Sequence, residues 1–184
     1  MTDAFSDTDA LVVVDMQVDF VQPGRSGAVA GAPGCVAPIA AAARAVREAG
    51  GTVAWIRREY AADGSDVERS RIAAWRTAPF CVAGTDGVAL VEGLEVDAAD
   101  VELVKARWSA FFATGLAERL RARGVERVVI AGVDLSRCVR ATVMDAISLD
   151  FDVAVLAAGT STRSPEAKRA NFDDLADLGV PVLV

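Results

Sequence analysis

"RVVIAGVDLSRCVRATVMDA", residues 127–146, opens as an apolar run rich in β-branched side chains and changes character at a glycine, an aspartate, a serine and a cysteine. Residues 127–133 read as a strand buried on both faces, as in a parallel sheet, and residues 137–149 read as a helix. A strand that hands over directly to a helix is the repeating unit of an α/β fold.

The same unit recurs on either side. Residues 10–14 (ALVVV), 52–57 (TVAWIR), 101–104 (VELV), 153–157 (VAVLA) and 181–184 (PVLV) are further short apolar runs. Helical patterns cover 36–49, 110–123 and 165–178, and Gly50, Gly124 and Gly179 stand where C-terminal stops belong. The alternation predicts right-handed crossovers and a three-layer, Rossmann-like α/β domain spanning residues 1–184, with small ligands held beyond the carboxyl ends of the strands. Residues 60–93 are the least regular stretch, read as a short helix over 67–75 and a long connection of the kind that forms lids and binding loops.

Composition narrows the chemistry. The 184 residues are 53% hydrophobic and 24% charged, and no run of apolar residues is long enough to span a bilayer. The polar, acidic segment 1–9 does not read as a signal peptide, so the expected address is the cytoplasm, with no membrane partner. A net charge of −7 opposes the neutralisation of phosphates on which nucleic-acid binding depends. Three cysteines, Cys35, Cys81 and Cys138, make neither a disulfide framework nor a metal-binding spacing. The chain has no histidine, which excludes Cys-His and Ser-His-Asp hydrolases and any imidazole-dependent metal site. Carboxylate, amine and thiol are left. The glycines of "GAVAGAPG" have the wrong spacing for a dinucleotide fingerprint and follow no strand.

Three residues at strand ends stand out. Asp15 follows LVVV, Lys105 follows VELV, and Cys138 lies five residues past Val133. In a parallel sheet these ends open at one edge, so the three side chains can meet. A thiol in a first helical turn is close to unpaired N–H groups and the positive end of the helix dipole, which favours thiolate. Lys168 is the only other lysine, against seventeen arginines, so a lysine at 105 suggests a need for an amine that can titrate. A carboxylate at the end of a buried strand needs a partner to offset its desolvation, and Lys105 is a natural one. Each residue also has a plain alternative: a small apolar cysteine, a snorkelling lysine, a turn-capping aspartate. Cys35 and Cys81 are read in that plain way.

"LVVVDMQVDF", "KARWSAFFATGL" and "AGVDLSRCVRATVMDA" occur in this order and together resemble the isochorismatase-like cysteine hydrolases, a group that includes nicotinamidases and N-carbamoylsarcosine amidase. The resemblance runs from residue 10 to about 178. It implies a six-stranded parallel sheet, assembly as a homo-oligomer (dimer or tetramer), and an Asp-Lys-Cys triad at Asp15, Lys105 and Cys138. It further implies an oxyanion hole from the N–H of Cys138 and a residue just upstream, beside a cis peptide between Val133 and Asp134. The expected reaction is hydrolysis of a C–N bond in a small amide, imide or ureide through a thioester, without histidine. No cofactor is expected, and no metal, since "IRREYAADGSD" stands where nicotinamidases carry their ligands.

Two positions depart from the family pattern: Leu135 where threonine is common, and Trp108 where tyrosine is usual. Gln17, Phe20, Trp108 and Arg163 are the candidates for contact with substrate, with Arg58 and Glu59 as further guesses at the second strand end. Two other functions fit the same motifs. One is isochorismatase-type ether hydrolysis with Asp15 as acid. The other is a silent member of the family that binds a metabolite or a partner protein.

Overall fold

The computed structural model describes residues 5–184. Residues 1–4, part of the segment read as unlike a signal peptide, lie outside the described residues.

Six strands form one parallel sheet: β1 (Asp9–Val14), β2 (Thr52–Arg58), β3 (Val101–Lys105), β4 (Arg127–Gly132), β5 (Asp152–Thr160) and β6 (Val182–Leu183), in the order β3-β2-β1-β4-β5-β6. The order turns at β1, whose neighbours are β2 on one side and β4 on the other. The helices are α1 (Val18–Val21), α2 (Val36–Glu48), α3 (Ile72–Thr77), α4 (Leu116–Arg121), α5 (Arg140–Ser148) and α6 (Pro165–Asp177).

Alternate residues of the central strands feed two cores. Leu11, Val13, Val53, Trp55 and Val129 pack with Ile39, Ala43 and Val46 of α2 on one face. Val12, Val14, Ala54, Ile56 and Ile130 pack with Leu120 of α4, Val143 of α5 and Leu175 of α6 on the other. β1 is buried along its whole length, and each fully buried Val, Leu or Ile contributes about 1.5–3 kcal/mol of transfer free energy. Gly50, Gly124 and Gly179 all take positive φ just beyond a helix, as the C-terminal stops require.

The expected elements shift in four places. The helix read over 110–123 is formed only at Leu116–Arg121. Ala113 (φ 55°) and Gly115 (φ 74°) are left-handed, and the Thr114 hydroxyl caps back onto the Ala110 carbonyl at 2.6 Å, so the first half is an irregular loop. The short helix read over 67–75 lies later, at Ile72–Thr77. Not every strand is buried on both faces: β3 is an edge strand with Glu102 and Val104 exposed, and two-residue β6 is half-buried at the other edge. The helix read over 137–149 begins with a separate turn, Leu135–Val139, wound more widely than an α-helix and followed by α5. None of the helices in the described residues is long and apolar enough to cross a membrane.

Candidate active site

The site forms where β1, β2, β3 and β4 end. Val14 pairs with Gly132 and Arg58 with Lys105, which aligns the four ends at one edge of the sheet. Gly132 is required here by a close approach: its φ is 109°, and a Cβ would lie 2.0 Å from the Val14 carbonyl oxygen. The chain leaving β4 therefore passes directly against the end of β1, bringing residues 133–138 beside Asp15. Asp15 itself has φ 57°, uncommon for a non-glycine residue, and its N–H donates to the Ile56 carbonyl at 2.9 Å.

Asp15 and Lys105 meet. Both are buried, and Lys105 Nζ donates to Asp15 Oδ2 at 2.8 Å and to the Arg107 carbonyl at 3.1 Å. Asp15 Oδ1 is buried with no hydrogen-bond partner. Cys138 is 6% exposed and stands in the turn after β4. Burial pushes its thiol up, the Asp15 carboxylate adds to that, and Lys105 and Arg58 oppose it. The helix end expected to favour thiolate is a short, wide turn, and burial works against the anion.

Arg58, read from the sequence only as a further guess at substrate contact, lies against the thiol itself. Its side chain is 0% exposed, with Nη2 3.4 Å from Cys138 Sγ and Nε 3.7 Å from Asp15 Oδ2. Nη2 also donates to the Arg107 carbonyl at 2.8 Å, and Nη1 donates to Glu68 at 3.0 Å and to the Tyr60 hydroxyl. Burial alone would push the guanidinium down, but Asp15, Cys138, Tyr60 and Glu68 outweigh it and the group stays charged. An available signal was register: Arg58 pairs with Lys105, and it falls on the same side of β2 as Ala54 and Ile56, the side that packs into the core holding Cys138.

The nucleophile turn is fastened on several sides. The Val133–Asp134 peptide bond is cis. Val133 N–H donates to the Val14 carbonyl at 3.0 Å, so it is not available as an oxyanion donor, and the upstream donor must be sought elsewhere. The Asp134 carbonyl takes the N–H groups of Arg137 and Val139, and its side chain takes that of Ser136 at 2.9 Å. The Ser136 hydroxyl lies 2.8 Å from that of Thr162 and accepts from Asn171 at 3.1 Å. Leu135 is buried in the core next to Cys138 and Val139, so its N–H, donating to the Ser161 carbonyl at 2.8 Å, makes the polar tie that its side chain cannot. Thr142 joins the turn to the loop after β3, accepting from Ala110 N–H at 3.0 Å and donating to the Cys138 carbonyl at 2.7 Å.

A cavity of about 170 Å³ opens onto Cys138, lined also by Phe20, Val29, Phe80, Arg71, Asp134 and Arg137. Phe20 thus lines this cavity, with its ring 5.6 Å from that of Phe80. Gln17 does not. Its amide is fully used on the end of β2, accepting from Arg58 N–H at 2.6 Å and donating to the Arg58 and Val88 carbonyls at 2.8 and 3.0 Å. Trp108 is 38% exposed and lies outside the wall, with the Arg71 guanidinium 6.0 Å from its ring. Arg163 is exposed and also outside, as is Glu59, which pairs with Arg57 at 3.4 Å. Arg71, Arg137 and Phe80 were missed: Phe80 lies in a loop without periodic signal, and the two arginines lie at helix starts, where periodicity does not say which side chain faces a cavity. Among the described residues, no three His, Cys, Asp or Glu side chains come together to hold a metal ion.

A buried acid–amine pair and a thiol thus lie together at the carboxyl edge of a parallel sheet in a three-layer α/β fold. Residues 9–183 match the isochorismatase domain, and the chain belongs to the isochorismatase family. It is similar to a "probable inactive nicotinamidase" of Arabidopsis thaliana, 38% identical over 93% of this chain and 89% of that protein. It is also similar to a maleamate amidohydrolase of Pseudomonas putida, 34% identical over 93% of this chain and 80% of that one. The crystal structure of an isochorismatase family protein from Desulfovibrio vulgaris superposes with a TM-score of 0.91 at 40% identity, covering 95% of this chain and 93% of the other.

Proposed function

We propose that the chain is a cysteine amidohydrolase that cleaves the C–N bond of a small amide, imide or ureide, with Asp15, Lys105 and Cys138 as its triad. The observation that carries this is the unpartnered Asp15 Oδ1, a buried acceptor beside a buried thiol. In the reaction, Asp15 takes the Sγ proton as Cys138 Sγ forms a bond to the substrate carbonyl carbon. The C–N bond then breaks, and the leaving nitrogen carries off that proton from Asp15. Water next attacks the thioester carbon while Asp15 accepts its proton, the C–S bond breaks, and the thiol is restored as the acid product leaves. Lys105 holds Asp15 in place throughout. Cys138 N–H, which is not among the donors to the Asp134 carbonyl, is the leading candidate for the oxyanion donor, with Asp134 N–H as its partner.

The cavity favours a small substrate with a flat or apolar body packed against the Phe20–Phe80 pair, and Arg71 and Arg137 favour one that also carries a carboxylate. Maleamate, named as the substrate of the Pseudomonas relative, has that chemistry. A second reading, a binding protein without turnover, draws on the relative described as probably inactive. Hydrolysis of a panel of carboxylate-bearing amides by the wild type and by Cys138→Ala separates the two. Turnover lost in Cys138→Ala supports the amidohydrolase. Ligand binding with no turnover in either protein overturns it, and turnover retained in Cys138→Ala moves the chemistry to Asp15 as the acid.

A further inference from the structure

Resting on the amidohydrolase reading above, we propose that Arg58 is a fourth catalytic residue, a permanent cation that holds the Cys138 sulfur as an anion once its proton has left, and that Glu68 is a positioning residue that sets how much of that charge the sulfur feels.

A buried guanidinium has five N–H donors to satisfy, and a purely structural arginine directs them at carboxylates and carbonyls. Arg58 does so on only one side. Nη1 is spent on Glu68 and Tyr60, and Nη2 is shared between the Arg107 carbonyl and Cys138 Sγ at 3.4 Å. Nε is buried without a hydrogen-bond partner, 3.7 Å from Asp15 Oδ2. A thiol is a weak acceptor, so the contact is poor in the resting state. It becomes a charge-assisted hydrogen bond when the sulfur is an anion, which gives the arrangement a larger effect in the reacting state than in the ground state.

Lys105 also favours the Cys138 anion through its charge, but its two hydrogen bonds go to Asp15 and the Arg107 carbonyl, whereas Arg58 Nη2 reaches the sulfur itself. The two cations therefore differ in contact: Lys105 holds the base and acts on the sulfur at a distance, and Arg58 hydrogen-bonds to the nucleophile. The Tyr60 hydroxyl donates to Glu68 Oε2 at 2.7 Å, which closes a ring of Arg58, Tyr60 and Glu68 behind the sulfur. Burial pushes the Glu68 carboxyl up, but Tyr60 and Arg58 outweigh it and hold it below the usual carboxylate range, so it stands as an anion drawing on the guanidinium. The charged groups facing Cys138 are thus Asp15 from the end of β1, Arg58 from β2 and Lys105 from β3, with Asp134 and Arg137 on its own turn and Arg71 along the cavity.

The test is the rate of alkylation of Cys138 by iodoacetamide, read by mass spectrometry from about pH 5 to about pH 10 in the wild type, Arg58→Lys and Glu68→Gln. Lysine keeps the charge but cannot fork to Glu68 and sulfur together, so the labelling midpoint should rise by about one pH unit and the rate at about pH 8 should fall roughly tenfold. Glu68→Gln removes the competing anion, so its labelling midpoint should move down and its rate at the same pH should rise. Opposite signs are what a merely structural arginine cannot produce. Midpoints unchanged in both variants, or displaced in the same direction, overturn the proposal. If Arg58→Lys does not fold, Glu68→Gln decides alone, and a rate that does not rise is the overturning result. A protein that responds as stated and hydrolyses no amide sinks the amidohydrolase reading alone. One that hydrolyses an amide through Cys138 with neither variant moving the midpoint sinks the role of Arg58 alone.

Discussion

Strand β1 carries a buried aspartate at each end, and the two are finished differently. At its start, Asp9 is 2% exposed and both of its oxygens are occupied, by Arg127 Nε and Nη2 at 2.7 Å each and by Ser6 N–H at 2.7 Å. Asp15, past the other end, is 1% exposed and has Lys105 on one oxygen and nothing on the other. Burial is equal and saturation is opposite: a carboxylate kept for structure has a donor on each oxygen, whereas one kept for proton transfer leaves an oxygen open beside the group that will give up its proton. The bidentate arginine at Asp9 is the strong, geometrically matched pair expected of a staple. Asp15 also adopts a left-handed backbone that Asp9 does not.

Asparagine at each position breaks the comparison most directly. Asp15→Asn removes the base and should lower kcat/KM for the identified amide by about 10³-fold, with the fold retained by circular dichroism. Asp9→Asn should leave kcat/KM within about threefold and cost about 2 kcal/mol in urea unfolding, below the full penalty of a buried pair because Arg127 is a quarter exposed. If the two variants behave alike, Asp15 is a staple as well.

Acid sharpens the contrast. Burial pushes the Asp9 carboxyl up, but the Arg127 and Ser6 hydrogen bonds outweigh it and hold the group below the usual carboxylate range. A group whose value is depressed in the folded state stabilises fully above its unfolded value and loses that contribution as pH falls through the folded one. The stability gap between wild type and Asp9→Asn should therefore be constant from about pH 7 down to about pH 5 and close below about pH 4. A gap independent of pH would mean that the Asp9 charge contributes nothing.

Physical reasons separate what was legible in the sequence from what was not. The six strands and the residues at their ends were readable because an apolar run stops where a charged side chain begins, and a parallel sheet brings such ends to one edge. That logic brought Asp15 and Lys105 together and put Cys138 beside them. Periodicity could not tell an edge strand from a central one, since exposure of Val104 depends on which strand lies outermost. Nor could it foresee that Ala113 and Gly115 would break a pattern that otherwise suits a helix. Arg58 was undervalued because an arginine after an apolar run usually extends into water. Its burial depends on Glu68 and Arg107, the latter far off in sequence. The surroundings of Gln17 were out of reach for the same reason, since the groups that use its amide are 41 and 71 residues away.

That residue yields the smallest effect. Gln17 holds both backbone groups of Arg58, so it fixes where β2 ends and the height at which the guanidinium meets the sulfur. It does not line the cavity, and its contact with the wall is through its backbone carbonyl, which accepts from Phe20 N–H at 3.0 Å. In Gln17→Ala the Arg58 N–H and carbonyl lose their side-chain partners, at about 1–3 kcal/mol for buried groups left unpaired. The active-site consequence is a displacement of Arg58, not the removal of a contact with substrate. The expected result is a fall in kcat of about fivefold with KM unchanged, since only the reacting state depends on the Arg58 position. A rise in KM with kcat intact would return Gln17 to the substrate-binding role that its neighbourhood first suggested, and would mean that the end of β2 is held well enough by its pairing with β3.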